Sequence, residues 1–446
     1  MKENFRQFLD RLRQAGELVD LKQAVDIRHI ATLVDQAQTA LYFHNVIGYD
    51  VPVVSGIIRS KERAVMSMGC QNFGEIEKKL AAAIAKPIPP KYVNGSPTRD
   101  VVLTGDDVDL FKLPIPMSSI YDGGPMITAG VVICKDPELG FNSGIYRFIV
   151  KEKALTGIDI VTPNNMRLFA QRAYEAGRPC PISISIGTHP YEIMGSGFRA
   201  PLGVDEMGIA GGLRGSPVEL AMCETIDLPC IADAEIVLEA EILPTGWVYP
   251  EGRFGEFTRL MGGLHWNPLV RIKAISMRKD AIYYNLHMPW ENTWLAAPTR
   301  YAAIRTALKT AGVQQAHKED RINFTGLSPW PGDLVCAEGL YMEGDEERRA
   351  AIFIGPEFGT VQRADLVAAA REAGDAGFDV LIACAFNYEA HTTEFSKLGR
   401  IPVLKARMNA DLHMADDLKN TGKGNLFVIF GEPDIEILTE KNGQLR

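Results

Sequence analysis

What constrains this chain most is the texture of its middle. From Val101 onward it runs through short β-branched stretches, MITAGVVIC, SGIYRFIV, CPISISIG and EIVLEAEIL, each broken off by Gly, Pro or Asp. Such spacing predicts a barrel or sandwich of short strands. The flanks read differently. Residues Asn4 to about Lys86 alternate helical stretches (FRQFLDRLRQAG, IRHIATLVDQAQ, GEIEKKLAAAIAK) with apolar runs such as VPVVSGI, the pattern of a small α/β unit, and the Pro-rich AKPIPPKYVNGSP closes it. After RYAAIRTALKTAG, a helix ended by Gly312, the segments RRAAIFIG, an Ala-rich helix from Arg363, DVLIACAF, IPVLKARM and NLFVIFG read as strand, helix and three strands, a second α/β unit. The expected fold class is α/β plus β: an N-terminal α/β domain over 1–98, a β-rich domain over 99–290, and a helical linker with a C-terminal α/β domain over 291–446.

Composition narrows the partners. With 46% hydrophobic and 23% charged residues in 446, the chain can bury real cores. A net charge of -9 gives no overall basic field, so neither nucleic acid nor an anionic membrane is an expected partner, and an anionic substrate must be met by local cations. The seven cysteines are odd in number and scattered, without a C-x-x-C pair, which suits reduced thiols. No run of about 18 apolar residues occurs, and MKENFRQFLDRLRQAG is an amphipathic helix rather than a signal core, so a cytoplasmic protein is expected.

Three segments carry candidate chemistry. In Glu251-Gly-Arg-Phe-Gly-Glu256, two carboxylates flank a glycine-rich loop that can aim both into one cavity, where each perturbs the other's pKa; a solvated acidic turn is the alternative. In Asn142-Ser-Gly-Ile-Tyr-Arg147, a strand presents an amide able to ligate a hard cation and a guanidinium able to clamp a carboxylate, although a strand arginine also serves as an ordinary ion-pair residue. Gly203-Val-Asp-Glu206 sets a carboxylate beyond the glycine-rich turn IMGSGFRAPLG, a loop suited to phosphate and a cation together.

In order and spacing these segments resemble the signature of the UbiD family of prenylated-flavin-dependent decarboxylases. The resemblance runs from about Met1 to Val313 and takes in GLRGSPVEL, VYPEGRFGEF and PWENTW. It implies a split β-barrel as the central, flavin-binding domain, prenylated FMN as cofactor, and non-oxidative, reversible decarboxylation of an aromatic, heteroaromatic or α,β-unsaturated carboxylic acid. By the same resemblance Arg147, Glu251 and Glu256 form the catalytic network: Arg147 orients the substrate carboxylate, Glu251 holds Arg147, and Glu256 delivers the proton that replaces CO2. Asn142, Asn165 and Glu206 would hold Mn2+ or Mg2+ beside the flavin phosphate, and the loop of Gly195, Ser196 and Phe198 would bind K+. Thr128, Gly144, Ile145, Asn164 and Gly197 fall where the family contacts the cofactor. One departure stands out: Asn165 occupies the place of a customary histidine ligand, which favours a hard cation over a softer metal. His189 and His287 are expected in structural or hydrogen-bonding roles.

The resemblance further implies a flavin prenyltransferase as cofactor supplier and a homo-oligomer. Trp290 and Trp294, with room left by Ala296 and Ala297, would wall the substrate pocket, or else pack in the core. From about Arg348 to Leu438 the chain is instead similar to the C-terminal segment of certain site-specific DNA methyltransferases, without their catalytic motifs. Hence the alternative: a fusion that keeps a flavin pocket with an incomplete catalytic half, whose tail binds nucleic acid or another partner. For that reading Lys397, Arg400, Lys405 and Arg407 form the basic cluster, which a solvated strand edge explains equally well.

Overall fold

The strand-rich middle folds into one curled, mixed-length sheet of nine strands. In this computed structural model the described residues are 3–161, 163–255, 261–288, 290–310, 324–343, 346–355, 360–385, 388–389 and 397–407. They fall into two compact units, residues 1–311 and 312–446.

In the first unit the nine-stranded sheet is antiparallel throughout, and its centre is the strand Cys180–Ile186 between Ile236–Ile242 and Val131–Asp136. These runs are apolar at nearly every position because both faces of the sheet are covered. Side chains alternate between the two: Val131 and Ile133 enter one core, Val132 and Cys134 the other. One core is capped by the helices Phe73–Ala85, Pro190–Ser196 and Glu206–Arg214, the other by the helix Asn165–Glu175 through Met166, Phe169, Ala170 and Ala173.

The expected N-terminal α/β pattern appears as a four-stranded sheet flanked by helices. Its helix Phe5–Gln14 starts at an Asn4–Gln7 capping box and buries Phe5, Phe8, Leu9 and Leu12 along one stripe. The sheet is completed from far along the chain: Tyr283–Asn285 pairs in parallel with Val53–Ser55. Helix Trp290–Thr310 follows at once and packs inside this unit.

Glu291 fixes that join. Fully buried, its carboxylate accepts hydrogen bonds from the backbone amides of Gly56 (3.1 Å), Ile58 (2.9 Å) and His287 (2.5 Å) and from the Tyr284 hydroxyl (3.1 Å). A buried carboxylate survives only with such donors.

The second unit holds a six-stranded sheet in which Glu346–Ile354, Val380–Ala385 and Ile401–Arg407 run parallel, with helix Arg363–Asp375 as the first crossover. This matches the expected strand, helix, strand, strand; NLFVIFG lies outside the described residues. Lys397 lies on the two-residue edge strand Lys397–Leu398, and Arg400 in the adjoining turn donates to the Gly374 carbonyl at the end of the helix. Those two cations therefore sit at a sheet edge, where charge discourages further pairing. The Arg407 side chain lies outside the described residues.

Glu291→Ala is expected to strip the partner from four buried donors and to destabilise the first unit by about 3 kcal/mol or more in urea unfolding. A loss below about 1 kcal/mol would show that the network is dispensable.

Candidate active site

A cavity of about 690 Å³ opens between the curled sheet and helix Trp290–Thr310. Its size is that of a cofactor or ligand pocket. The sheet side supplies Met126, Thr128, Ile145, Arg147 and Asp159; the segment 193–199 supplies Ile193, Met194, Gly197 and Arg199. The helix contributes Asn292, Leu295, Ala296, Thr299 and Ala303, one face at helical spacing. Trp290 and Trp294 point the other way. The Trp290 indole donates to Asp35 (2.7 Å) and that of Trp294 to the Arg59 carbonyl (2.9 Å), with Phe73 edge-on to Trp294. Of the two expectations for them, pocket wall is set aside: both lie on the helix face opposite the cavity, and Trp294 packs against the core.

Charge in the cavity opposes the charge of the protein. Arg147, Arg199 and Arg300 line it, and Asp159 is the one acid in the wall among the described residues. An acidic protein so carries a locally cationic cleft.

Arg147 is held from two sides. Its Nη1 lies 2.9 Å from Asp159 Oδ2, and its guanidinium carbon stands 3.5 Å from the centre of the Phe254 ring. Phe254 belongs to the glycine-rich acidic segment, which is thereby drawn over the cavity. The segment is pinned by Asp122, whose carboxylate accepts from the amides of Ser118, Ser119 and Gly255. Gly252 and Gly123 pass so close that a Cβ on either would lie 2.2 Å from the other's Cα. Only glycines permit that crossing.

Glu251 sits at the end of the strand Tyr249–Glu251 and is fully buried. Neither carboxylate oxygen makes a well-formed hydrogen bond among the described residues, and the group fills the space where a Cβ on Gly157 would stand, 1.9 Å from Oε2. Burial pushes its pKa up to about 7, assisted by the charge of Asp159 and opposed by Lys151, Arg147 and the Ile149 amide. Among the described residues Asp159 is the carboxylate in ion-pair contact with Arg147, and Glu251 is not. Asp159 was not singled out in the sequence. The one signal for it was its place two residues beyond the strand Leu155–Gly157, which ends under Glu251. Glu256 lies outside the described residues.

Glu206 opens helix Glu206–Arg214, after Asp205 at the cap. Its carboxylate is buried and accepts from the Ser143 amide (2.8 Å), with no cation of the described residues in ion-pair range. Burial, with Asp205 adding to it, raises its pKa to about 8. Asn142 is buried in the neighbouring strand position, hydrogen-bonded to the Tyr146 phenol and 3.8 Å from the Cys134 sulfur. Asn165 donates its amide N–H to the Ala200 carbonyl (3.3 Å), which leaves its oxygen for another partner. A carboxylate without a countercharge beside amide oxygens fits a hard divalent ion. Among the described residues no three His, Cys, Asp or Glu converge, so an ion there would draw on the amides.

Of the expected cofactor residues, Thr128, Ile145, Arg147 and Gly197 line the cavity; Asn142, Gly144, Asn164, Asn165, Gly195, Ser196 and Glu206 are not in its wall. Asn164 caps helix Asn165–Glu175 by accepting from the Arg167 amide (2.9 Å). Gly195 gives room to Ala210, and Gly144 to the Tyr146 ring. His189 caps helix Pro190–Ser196 through the Tyr191 amide and lies 3.0 Å from Glu3, a structural role; His287 is buried with Nε2 3.7 Å from Asp35.

The sequence matches two family models, 3-octaprenyl-4-hydroxybenzoate carboxy-lyase N-terminal domain over residues 9–83 and the Rift-related domain of the same carboxy-lyase over 91–289. It is 34% identical over 290 residues to an uncharacterised protein in the cooM 5′ region of Rhodospirillum rubrum, covering 62% of each chain. It is 30% identical over 280 residues to the anhydromevalonate phosphate decarboxylase of Methanothermobacter thermautotrophicus, covering 63% of this chain and 64% of that one. The chain thus spans less than two thirds of the length of these curated relatives. Among solved structures, the UbiD-class enzyme HmfF of Pelotomaculum thermopropionicum in complex with FMN is 30% identical with a TM-score of 0.67, covering 88% of this chain and 85% of that one. An evolved dimeric form of the same enzyme in complex with prFMN scores 0.67 at 29% identity over 88% of each chain. This coverage exceeds the share of the first unit, so the likeness extends into the second, where a methyltransferase segment was expected.

Glu251 predicts a pH signature. A carboxyl raised from 4.5 to about 7 on folding favours the folded state fully below pH 4.5, and that contribution is lost as pH rises through 7. Glu251→Gln should flatten this part of the stability curve, measured by denaturation at intervals from pH 5 to about 8. An unchanged slope would place the titration elsewhere.

Proposed function

The chain belongs to the UbiD family of carboxy-lyases, and on that premise we propose that it removes CO2, reversibly and without net oxidation, from an aromatic, heteroaromatic or α,β-unsaturated carboxylic acid with the aid of prenylated FMN. The observation that carries this reading is Arg147, oriented by Asp159 and Phe254 in a cavity of about 690 Å³ next to a buried acid that holds its proton near neutrality. Relatives named for complexes with FMN and prFMN support the cofactor, and one named as a decarboxylase of anhydromevalonate phosphate supports the reaction.

Bound prenylated flavin supplies the electron sink that the carbon losing CO2 requires. The protein's share is binding, orientation and protons. Arg147 offers its fork to the substrate carboxylate, and only a guanidinium can meet both oxygens at once. Phe254 covers one face of that fork and keeps water from it. Apolar side chains from Met126, Met194, Leu286, Met288 and Leu295 surround the rest, a lining suited to a flat unsaturated body. Two acids fit the acid-base work: the buried Glu251, its pKa raised to about 7, and Glu256, which we assign as the donor of the proton that replaces CO2. At the other end Glu206, Asn142 and Asn165 would hold Mn2+ or Mg2+, the segment of Gly195, Ser196 and Phe198 a potassium ion, and Arg199 and Thr128 would meet the cofactor. A flavin prenyltransferase would supply the cofactor, and a homo-oligomer is the proposed assembly.

Co-expression with a flavin prenyltransferase should give a coloured protein that releases CO2 from at least one member of a panel of benzoic, furoic and cinnamic acids. Arg147→Lys is expected to lower kcat/KM about 100-fold, since the fork is lost while the charge remains. Glu256→Gln should keep its flavin and lose exchange of solvent deuterium into product; exchange at the wild-type rate would remove Glu256 from the donor role.

A further inference from the structure

Four neutral polar side chains stand in the described wall of the cavity, Thr128, Tyr146, Asn292 and Thr299, and three of them already have partners. Thr128 donates its hydroxyl to Asn285 Oδ1 (3.3 Å), Thr299 donates to the Ala296 carbonyl (2.8 Å), and the Tyr146 phenol is hydrogen-bonded to Asn142. The half-buried Asn292 amide has no hydrogen bond among the described residues. Its direction is set by the residue before it. With the Glu291 carboxylate fixed by the amides of Gly56, Ile58 and His287, the next position of the helix turns to the cavity, and Asn292 lines it together with Leu295 and Ala296, three and four residues on. Leu286 and Met288, just before the helix, add apolar surface to the wall.

We propose that Asn292 is a specificity-determining residue: its amide selects acids that carry, away from the reacting carboxylate, a neutral substituent able both to donate and to accept a hydrogen bond, such as a ring hydroxyl. This rests on the decarboxylase reading and names a substrate class within it. An asparagine amide offers two donors and one acceptor without charge, so a hydroxyl can be met from either end of it, whereas a second carboxylate could use the N–H groups alone. Arg147 belongs to the sheet side of the cavity and Asn292 to the helix side, so an acid with its carboxylate toward the sheet presents its far edge to the amide. The energetic argument is one of loss. A flat ring that fills the cavity drives water from Asn292, and an amide left unpaired among apolar side chains costs more than the bond that would replace it contributes. A ring with a hydroxyl restores the bond; a bare ring does not, and a site of this kind discriminates by what the wrong ligand leaves unsatisfied. Asn292 acts on the far edge of the acid and not on its reacting atoms, hence specificity and not catalysis.

The test is binding to the flavin-loaded full chain, measured by calorimetry with benzoate, 3- and 4-hydroxybenzoate and terephthalate as probes. The better of the two hydroxybenzoates should bind about 10-fold more tightly than benzoate, and Asn292→Leu, of similar shape, should bring that ratio to within about 2-fold. A merely structural asparagine would weaken all four acids alike and leave the ratio where it was, and that result overturns the proposal. So does a wild type that binds none of the acids, that prefers neither hydroxybenzoate to benzoate, or that holds terephthalate more tightly than both. Where Asn292→Leu fails to fold or to load flavin, Asn292→Ala is carried through the same comparison to the same two outcomes. CO2 release is read separately: the expected preference in binding, with no CO2 from any of the acids, supports the role of Asn292 and overturns the decarboxylase reading alone.

Discussion

The site depends on one buried carboxylate that takes no part in its chemistry. Glu291 gathers amides from Gly56, Ile58 and His287 and the hydroxyl of Tyr284, so that two loops of the N-terminal sheet, its last strand and the start of helix Trp290–Thr310 share one acceptor. Each donor would otherwise be buried without a partner, which is costlier than the bond is favourable. The phase of the helix follows from this anchor: with Glu291 facing the sheet junction, Asn292, Leu295, Ala296 and Thr299 turn to the cavity and Trp290 and Trp294 away from it. A wall of the pocket is thus set by a residue that does not line it.

Electrostatics inside that pocket run against the protein as a whole. A chain of net charge -9 concentrates three guanidinium groups around a cavity whose described wall has one acid. Buried nearby are two carboxyls raised to about 7 and 8, Glu251 and Glu206, each without a cation in contact. The two are raised for the same reason, desolvation, but their surroundings fit different ends. Glu206 keeps company with amides and a backbone donor, as a ligand for a hard ion does; Glu251 has a glycine beneath it and Asp159 and Arg147 to the side, as an acid near a reacting centre does.

Much of this was legible in the chain. The β-branched runs became the central strands because their alternation feeds two cores at once, and the first glycine of Glu251-Gly-Arg-Phe-Gly-Glu256, Gly252, makes a backbone crossing with Gly123 that no other residue allows. The resemblance drew attention to Arg147, and the cavity contains it. What the chain did not disclose is pairing. Nothing local tells which of several acids meets an arginine, so the contact of Asp159 with Arg147 went unforeseen. Nor does a helical stretch announce its phase: Trp290 and Trp294 have the size of pocket walls, and only the anchor one residue along, Glu291, decides that they face Asp35 and Arg59 instead.

The division between Asp159 and Glu251 has a consequence for how such a site can work. Burial, with the charge of Asp159 close by, pushes Glu251 toward its neutral form, while Lys151 and Arg147 oppose it. Had Glu251 taken Arg147, its proton would be gone at neutral pH. With Asp159 in contact with the arginine, Glu251 is left as a carboxyl buried against Gly157 with no well-formed hydrogen bond among the described residues. A buried carboxyl of that kind is kept in place only by the contacts around it. Here the Gly123–Gly252 crossing, the Asp122 brace and the register of Glu251 with His265 do so together.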